Sequence, residues 1–400
     1  MLGGMLKGGG SGKAKIISAD DGNDNIKLGE GSMLLVNSDD IDNIAIGKDV
    51  MTGDATSTTV RRNIGIGNNT LENALAAEGN VAIGKDALNA TTVGSSNVAI
   101  GFGAAKLNQS GGSNFALGKS ALYSNVQGSS NVAIGKESLQ YFIADTSNHG
   151  NNTAIGVDSG KFISTGTENT CIGQDSCQGI DGTRLEGDRN TCIGYSSGLL
   201  LQGAAHSNTL IGAQVADNIT TGTNNVMLGH HISASAADVT YEIVIGSGVD
   251  ESNDFDGGGT ETCRIGRASD YITVDFGENA NWSHSSDARI KKDISDNELG
   301  LNFINDLRTV NYKKKAPSEY PKEFKGYDAN ETERKNPDRV HYGFIAQEVK
   351  KAMDNIGHSE FPMWSENEDG MQELAETELI APLVKAIQEL SDEVNELKKK

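Results

Sequence analysis

Between Asn25 and Gly266 one five-residue phrase returns throughout: Asn, then apolar or Thr, then small, then Ile or Leu, then Gly. It reads Asn43-Ile44-Ala45-Ile46-Gly47, Asn80-Val81-Ala82-Ile83-Gly84, Asn97-Val98-Ala99-Ile100-Gly101 and, with variation, Asn169-Thr170-Cys171-Ile172-Gly173. The closing glycines stand at 29, 47, 67, 84, 101, 118, 135, 156, 173, 194, 212, 229, 246 and 266, so the unit is 17 residues with insertions of one to four. A period this short and this regular leaves each unit little to pack on except its neighbours, which defines a solenoid. Within the phrase Val81 and Ile83 share one face and Ala82 takes the other, a strand period rather than a helical one. A second apolar pair follows (Ala87-Leu88, Ala104-Ala105, Ala121-Leu122) and then a glycine-rich turn such as Gly94-Ser95-Ser96. Seventeen residues thus read as two short strands and two turns, one flattened coil of a β-roll. Fourteen coils at the ~4.8 Å strand spacing make a shaft roughly 65 Å long.

Each recurring residue has a physical task. The closing Gly suits a turn with positive φ or a close backbone approach. The Asn suits either the capping of turn amides or a hydrogen-bonded ladder along the shaft. No proline lies upstream of residue 282, as strand interiors that must donate to a neighbour require. The alanine slot becomes Cys171, Cys192, Leu210, Met227, Val244 and Arg264 toward the C-terminal end, so the packing on that face changes there, and the cysteines read as packing residues. The repeats over roughly residues 25 to 250 resemble the heads of trimeric bacterial adhesins. That resemblance implies left-handed parallel β-rolls associating in threes.

Composition narrows the function. The 400 residues carry a net charge of -21 and a pI near 4.7, which argues against a nucleic-acid or anionic-membrane partner, since phosphate binding needs clustered Lys and Arg. No apolar run reaches the ~20 residues of a membrane span, and Met1 to Ala19 lacks the compact apolar core of a signal peptide, so export by the general secretory route is not expected. Cys171, Cys177, Cys192 and Cys263 show no zinc spacing. The turns Asp39-Asp40-Ile41-Asp42 and Asp254-Phe255-Asp256-Gly257 match no full calcium-binding loop. No metal or cofactor is expected. Aromatics make up 5%, too few for a groove of stacking rings, which counts against a polysaccharide-cleaving shaft.

The chain changes character at Trp282-Ser283-His284-Ser285-Ser286-Asp287-Ala288-Arg289-Ile290-Lys291-Lys292. Of 49 glycines, 44 precede it, and all five prolines follow it. This stretch, with Tyr342-Gly343-Phe344-Ile345-Ala346-Gln347-Glu348-Val349 and a closing helix in that order, resembles the intramolecular chaperone domain of phage tail fibres and tailspikes, including endosialidases, the S74 peptidase type. The resemblance covers residues 282 to 400. It implies that a serine cleaves the bond before itself with help from a lysine five residues on. By position Ser286 is the nucleophile on the Ser285 carbonyl and Lys291 the general base, a Ser-Lys pair of the kind that activates a weak hydroxyl nucleophile. Arg289 and Lys292 are cations placed to destabilise the Lys291 ammonium. A spacing of five puts the pair on opposite sides of a strand and off one face of a helix, so a bend or a partner subunit has to join them. On strand geometry alone Lys292 shares the face of Ser286 and is the second choice of base. His284 reads as incidental.

Downstream, Leu299, Phe303, Ile304 and Leu307 recur at helical spacing after possible caps Ser295 or Asp296. Thr309 to Tyr312 and Arg339 to Ile345 read as strands, with a proline-rich loop between them. Ile345, Val349 and Met353 continue on one helical face, where Glu348 reads as solvated. Ile380, Leu383, Ile387, Leu390, Val394 and Leu397 form an a/d seam; β-branched a with Leu at d weakly favours two strands, whereas the resemblance implies three. The expected molecule is mainly β: a trimeric parallel β-roll shaft and a small α+β chaperone domain ending in a coiled-coil helix. Its expected segments are an N-terminal attachment segment (1-24), the shaft (25-266), a neck (267-285) and the auto-processing domain (286-400). It reads as a homotrimeric viral tail fibre or tailspike that attaches to a host glycan or protein receptor, is anchored to the virion through its N-terminus, and cuts itself between Ser285 and Ser286. The alternatives are an uncleaved surface adhesin and, less favoured, a polysaccharide-degrading spike.

Overall fold

The computed structural model describes residues 16-19, 24-33, 39-53, 59-144, 150-249, 254-268, 270-277, 286-334 and 336-400. The chain forms two compact units, Met1–Ser285 and Ser286–Lys400.

In the first unit fourteen strands stack in parallel, from Ile26–Leu28 to Thr262–Arg267, each coil contributing one. Register is kept phrase on phrase: Val81, Ala82 and Ile83 face Val98, Ala99 and Ile100. The slot residue points inward; Ala45, Ala82, Ala99, Ala116, Ala133 and Ala154 are fully buried, as are Cys171, Cys192, Leu210, Met227 and Val244 where the slot enlarges. Ala is wanted because the coil is flat, and opposite it sits a second buried column including Leu71, Leu88, Leu122 and Leu139. The β-branched residues on either side point outward and stay partly exposed, so the shaft carries an apolar stripe along its sheet face.

Among the described residues, the second strand expected in each coil is absent from most coils. Ala87-Leu88 and its counterparts lie in turns, with Asp86 and Leu88 at φ 61° and 48°. Their amides still bond along the axis, as in Leu88 N–H to Ala104 C=O (3.0 Å) and Leu122 N–H to Ser138 C=O (2.9 Å). Alternating left-handed residues bend the chain around the coil while axial hydrogen bonding continues, so no extended run forms. Isolated parallel bridges such as Ile163–Leu185 and Leu185–Gly203 occur along the shaft, and near its C-terminal end a second pair of parallel strands forms, Ile232–Ser233 with Phe255–Asp256. The stack is closed by antiparallel strands at both ends, Ile16–Ala19 on Ile26–Leu28 and Asp270–Asp275 on Thr262–Arg267. These two strands, and not the coils, are then the outer edges of the sheet.

The second unit is built on three helices, α1 (Leu301–Asp306), α2 (Ala346–Asn355) and α3 (Ile380–Lys399). The strands Val310–Tyr312 and His341–Gly343 pair antiparallel, as do Trp364–Glu366 and Gln372–Leu374. Leu299, Phe303, Val349, Ala352, Met353, Met363 and Leu379 make a small core. Neither Ser295 nor Asp296 caps α1. Its N-cap is Gly300, and Glu389 of α3 accepts the Leu301 N–H at 2.7 Å. A carboxylate 88 residues away thus does the capping, which no local spacing reveals.

Candidate functional site

The site lies at the first residues of the second unit. Asp287, at φ -67° and ψ 137°, is the N-cap of a single 3₁₀ turn, Ala288–Ile290, and Lys291 closes it at φ -103° and ψ 145°. Asp is among the best N-caps because its carboxylate accepts an orphan amide of the first turn. Here Oδ1 takes the Arg289 N–H at 2.8 Å, and the same carboxyl grips the guanidinium, with Arg289 Nε at 3.0 Å from Oδ1 and Nη2 at 2.6 Å from Oδ2. The Arg289 side chain and then its backbone N–H hold the Asp287 carboxyl below the usual range, and Asp287 raises the Arg289 guanidinium in return.

The turn folds Lys291 back over Ser286, and Lys291 Nζ donates to Ser286 Oγ at 2.8 Å. The five-residue spacing that fits neither helix nor strand is therefore bridged within one chain. Lys292 pairs instead with Asp293, its Nζ 3.7 Å from Asp293 Oδ2. Arg289 is neutralised by Asp287 rather than left as a free cation beside Lys291. Ser285 and His284 lie outside the described residues. Every residue from 286 to 298 is exposed, with Ile290 66% and Ile294 71% accessible, an unusual state for isoleucines.

Other candidate groups have structural partners. Glu348 is held by Arg308, with Nε–Oε2 at 2.8 Å, and that hydrogen bond keeps its carboxyl below the usual range. Asp40 is buried and its Oδ1 accepts the Val60 N–H at 2.7 Å. The four cysteines are buried free thiols. Among the described residues, no group of three or more His, Cys, Asp and Glu side chains is arranged to hold a metal, and no helix is long and apolar enough to cross a membrane.

The role of Asp287 was missed in the sequence, although an Asp directly before a short apolar turn with Arg two residues on is a local capping signal. Residues 286–358 match the family model Peptidase_S74, described as chaperone of endosialidase. No curated protein and no solved structure gives a match. That family is a self-cleaving intramolecular chaperone found in phage tail proteins, and a β-solenoid followed by a stretch that matches it fits a tail fibre with a C-terminal chaperone domain.

Proposed function

We propose that the chain is a homotrimeric tail fibre or tailspike whose C-terminal unit aligns three shafts and then releases itself by cutting between Ser285 and Ser286. The observation that carries the reading is the 2.8 Å contact between Lys291 Nζ and Ser286 Oγ at the first residues of the matched domain.

In the contact as it stands the ammonium donates to the hydroxyl. To act as base Lys291 sheds its proton and accepts the Ser286 O–H instead. Oγ then attacks the Ser285 carbonyl carbon, and a C–O bond forms as the proton passes to Nζ. The C–N bond to Ser286 breaks as Nζ returns that proton to the departing nitrogen. The resulting ester is hydrolysed by water, leaving a Ser285 carboxylate and a Ser286 with free amine and restored hydroxyl. Ser286 and Lys291 both stand open to water. The exposed Ile290 and Ile294 support a closed state in which another copy covers this strap and dries it, which would tie cleavage to assembly.

Two apolar surfaces support self-association. One is the outward stripe of the shaft, including Leu28, Phe115, Leu117, Ile211 and Ile245. The other is the α3 seam, where Ile380, Leu383, Ile387, Leu390, Val394 and Leu397 are all exposed in the single chain, Ile387 at 66%. Repeats this alike pair equally well one coil out of step, so an element that assembles first sets the register. Host attachment through the shaft and anchoring through residues 1-24 complete the reading.

The test is the denaturing mass of the purified chain and of three variants. Wild type and Lys292→Ala should yield the 286-400 fragment, whereas Ser286→Ala and Lys291→Ala should stay intact. An intact wild type, or cleavage in Ser286→Ala, refutes it.

A further inference from the structure

We propose that Asp287 and Arg289 are positioning residues: together they set the geometry and the protonation of the Ser286–Lys291 pair, an inference that rests on the reading of Ser286 as nucleophile. Five residues of strand span roughly 16 Å, and the 3₁₀ turn is what shortens this to side-chain contact. Among the described residues, none of Ala288, Arg289 and Ile290 is buried. Its backbone is held by two amide bonds, Ile290 N–H to Asp287 C=O and Lys291 N–H to Ala288 C=O (both 3.2 Å), and by the Asp287 cap. The Asp287 cap thus holds the backbone of the turn, and through it the approach of Lys291 to Ser286.

Arg289 has a different task. A carboxylate adjoining Ser286 is a competitor for the Lys291 ammonium and would hold it protonated. Both Asp287 oxygens are occupied by Arg289: Oδ1 by its N–H and Nε, Oδ2 by Nε (3.1 Å) and Nη2. The arginine therefore keeps the acidic neighbour off the base, and Lys291 is left with the Ser286 hydroxyl. Arg289 acts by withdrawing a negative charge, the reverse of a cation acting directly on the lysine.

The experiment follows cleavage of the full chain after cell-free synthesis, by denaturing gel over time and across pH, with Ser286→Ala as the zero and native mass as the check on assembly. Asp287→Ala should slow cleavage roughly 2- to 30-fold, the span of a lost N-cap, while Asp287→Asn, which caps equally well, should stay near wild type. Arg289→Ala should move the rising limb of the pH-rate profile to higher pH, and Asp287→Asn/Arg289→Ala should move it back. These last two differ in one exposed amide and should assemble alike, so the profile reads the dyad rather than folding. Wild-type rates in Asp287→Ala, equal slowing by Asn and Ala, or an unmoved limb in Arg289→Ala would each overturn the positioning role while leaving the Ser286 mechanism standing. An uncleaved wild type sinks both.

Discussion

At the scale of residues the shaft is governed by its asparagines. Twelve of them, at 25, 43, 63, 80, 97, 114, 131, 152, 169, 190, 208 and 225, form one ladder in which each Oδ1 accepts both the backbone N–H and the Nδ2–H of the next. Most Nδ2 groups also reach a turn carbonyl, as Asn114 does to Gly128 C=O at 2.8 Å. All twelve are buried, and Glu242 takes the thirteenth place with its backbone N–H on Asn225 Oδ1. Asn114→Ala takes the Oδ1 acceptor from the Asn131 backbone N–H, while the Gly128 carbonyl keeps its bond from Asn125 Nδ2 (2.8 Å); the stranded amide should cost roughly 2 kcal/mol, read as a lower denaturant midpoint, whereas Asn73→Ala, whose amide is exposed, should stay within about 0.5 kcal/mol. Gly135 sits at φ 133° with the Gly156 carbonyl oxygen 2.2 Å from where a Cβ would stand, so Gly135→Ala should unseat two coils and reduce soluble shaft. Glu137 lies 2.7 Å from Lys161, and that hydrogen bond holds its carboxyl below the ordinary 4.5. The pair therefore supports the shaft above that pH and is lost as pH falls through the lowered value. Thermal melts between neutral pH and about pH 3 should drop further for wild type than for Glu137→Gln. Asn and Gly could be read from the sequence because a buried amide or a positive φ demands those residues. The second apolar pair misled because nothing in Ala87-Leu88 announces that Leu88 takes a left-handed conformation; axial bonding from the next coil enforces it.

Among the elements, the helices were legible to the extent that their signals are local. The 3-and-4 spacing of the last helix and the Ile345, Val349, Met353 face correspond to α3 and α2, and Pro382 falls in the first turn of α3, where it needs no donor partner. The start of α1 was misread because its cap comes from α3. Glu389→Ala should therefore destabilise the second unit by about 1 kcal/mol, seen in its own unfolding transition. The hairpin of Trp364–Glu366 and Gln372–Leu374 escaped notice, since Trp364-Ser365-Glu366 has one apolar residue and its Trp364 Nε1–H is satisfied by Gln372 across the pair (3.1 Å). The residue types of the proposed Ser286–Lys291 pair stand in the sequence, but the contact between them does not, because a single 3₁₀ turn leaves no periodicity. If the α3 seam joins copies, Ile387→Asp should leave the chain as single copies by native mass and suppress cleavage; unchanged assembly would place the oligomer contact elsewhere.

For the whole molecule, the repeat that makes a shaft easy to extend also makes it easy to misalign: Val81-Ala82-Ile83 would pair with Phe115-Ala116-Leu117 almost as well as with its own register partner. On the proposed function, a removable aligning unit answers that difficulty, and its release leaves an assembled shaft held by the barrier to unfolding. The most direct measurement compares refolding of the cleaved protein, purified from its released fragment, with refolding of intact Ser286→Ala after full denaturation, each followed by native mass. The account predicts that Ser286→Ala regains three-chain shafts while the cleaved chain, residues 1-285, does not. Equal recovery of trimeric shaft by both would contradict it.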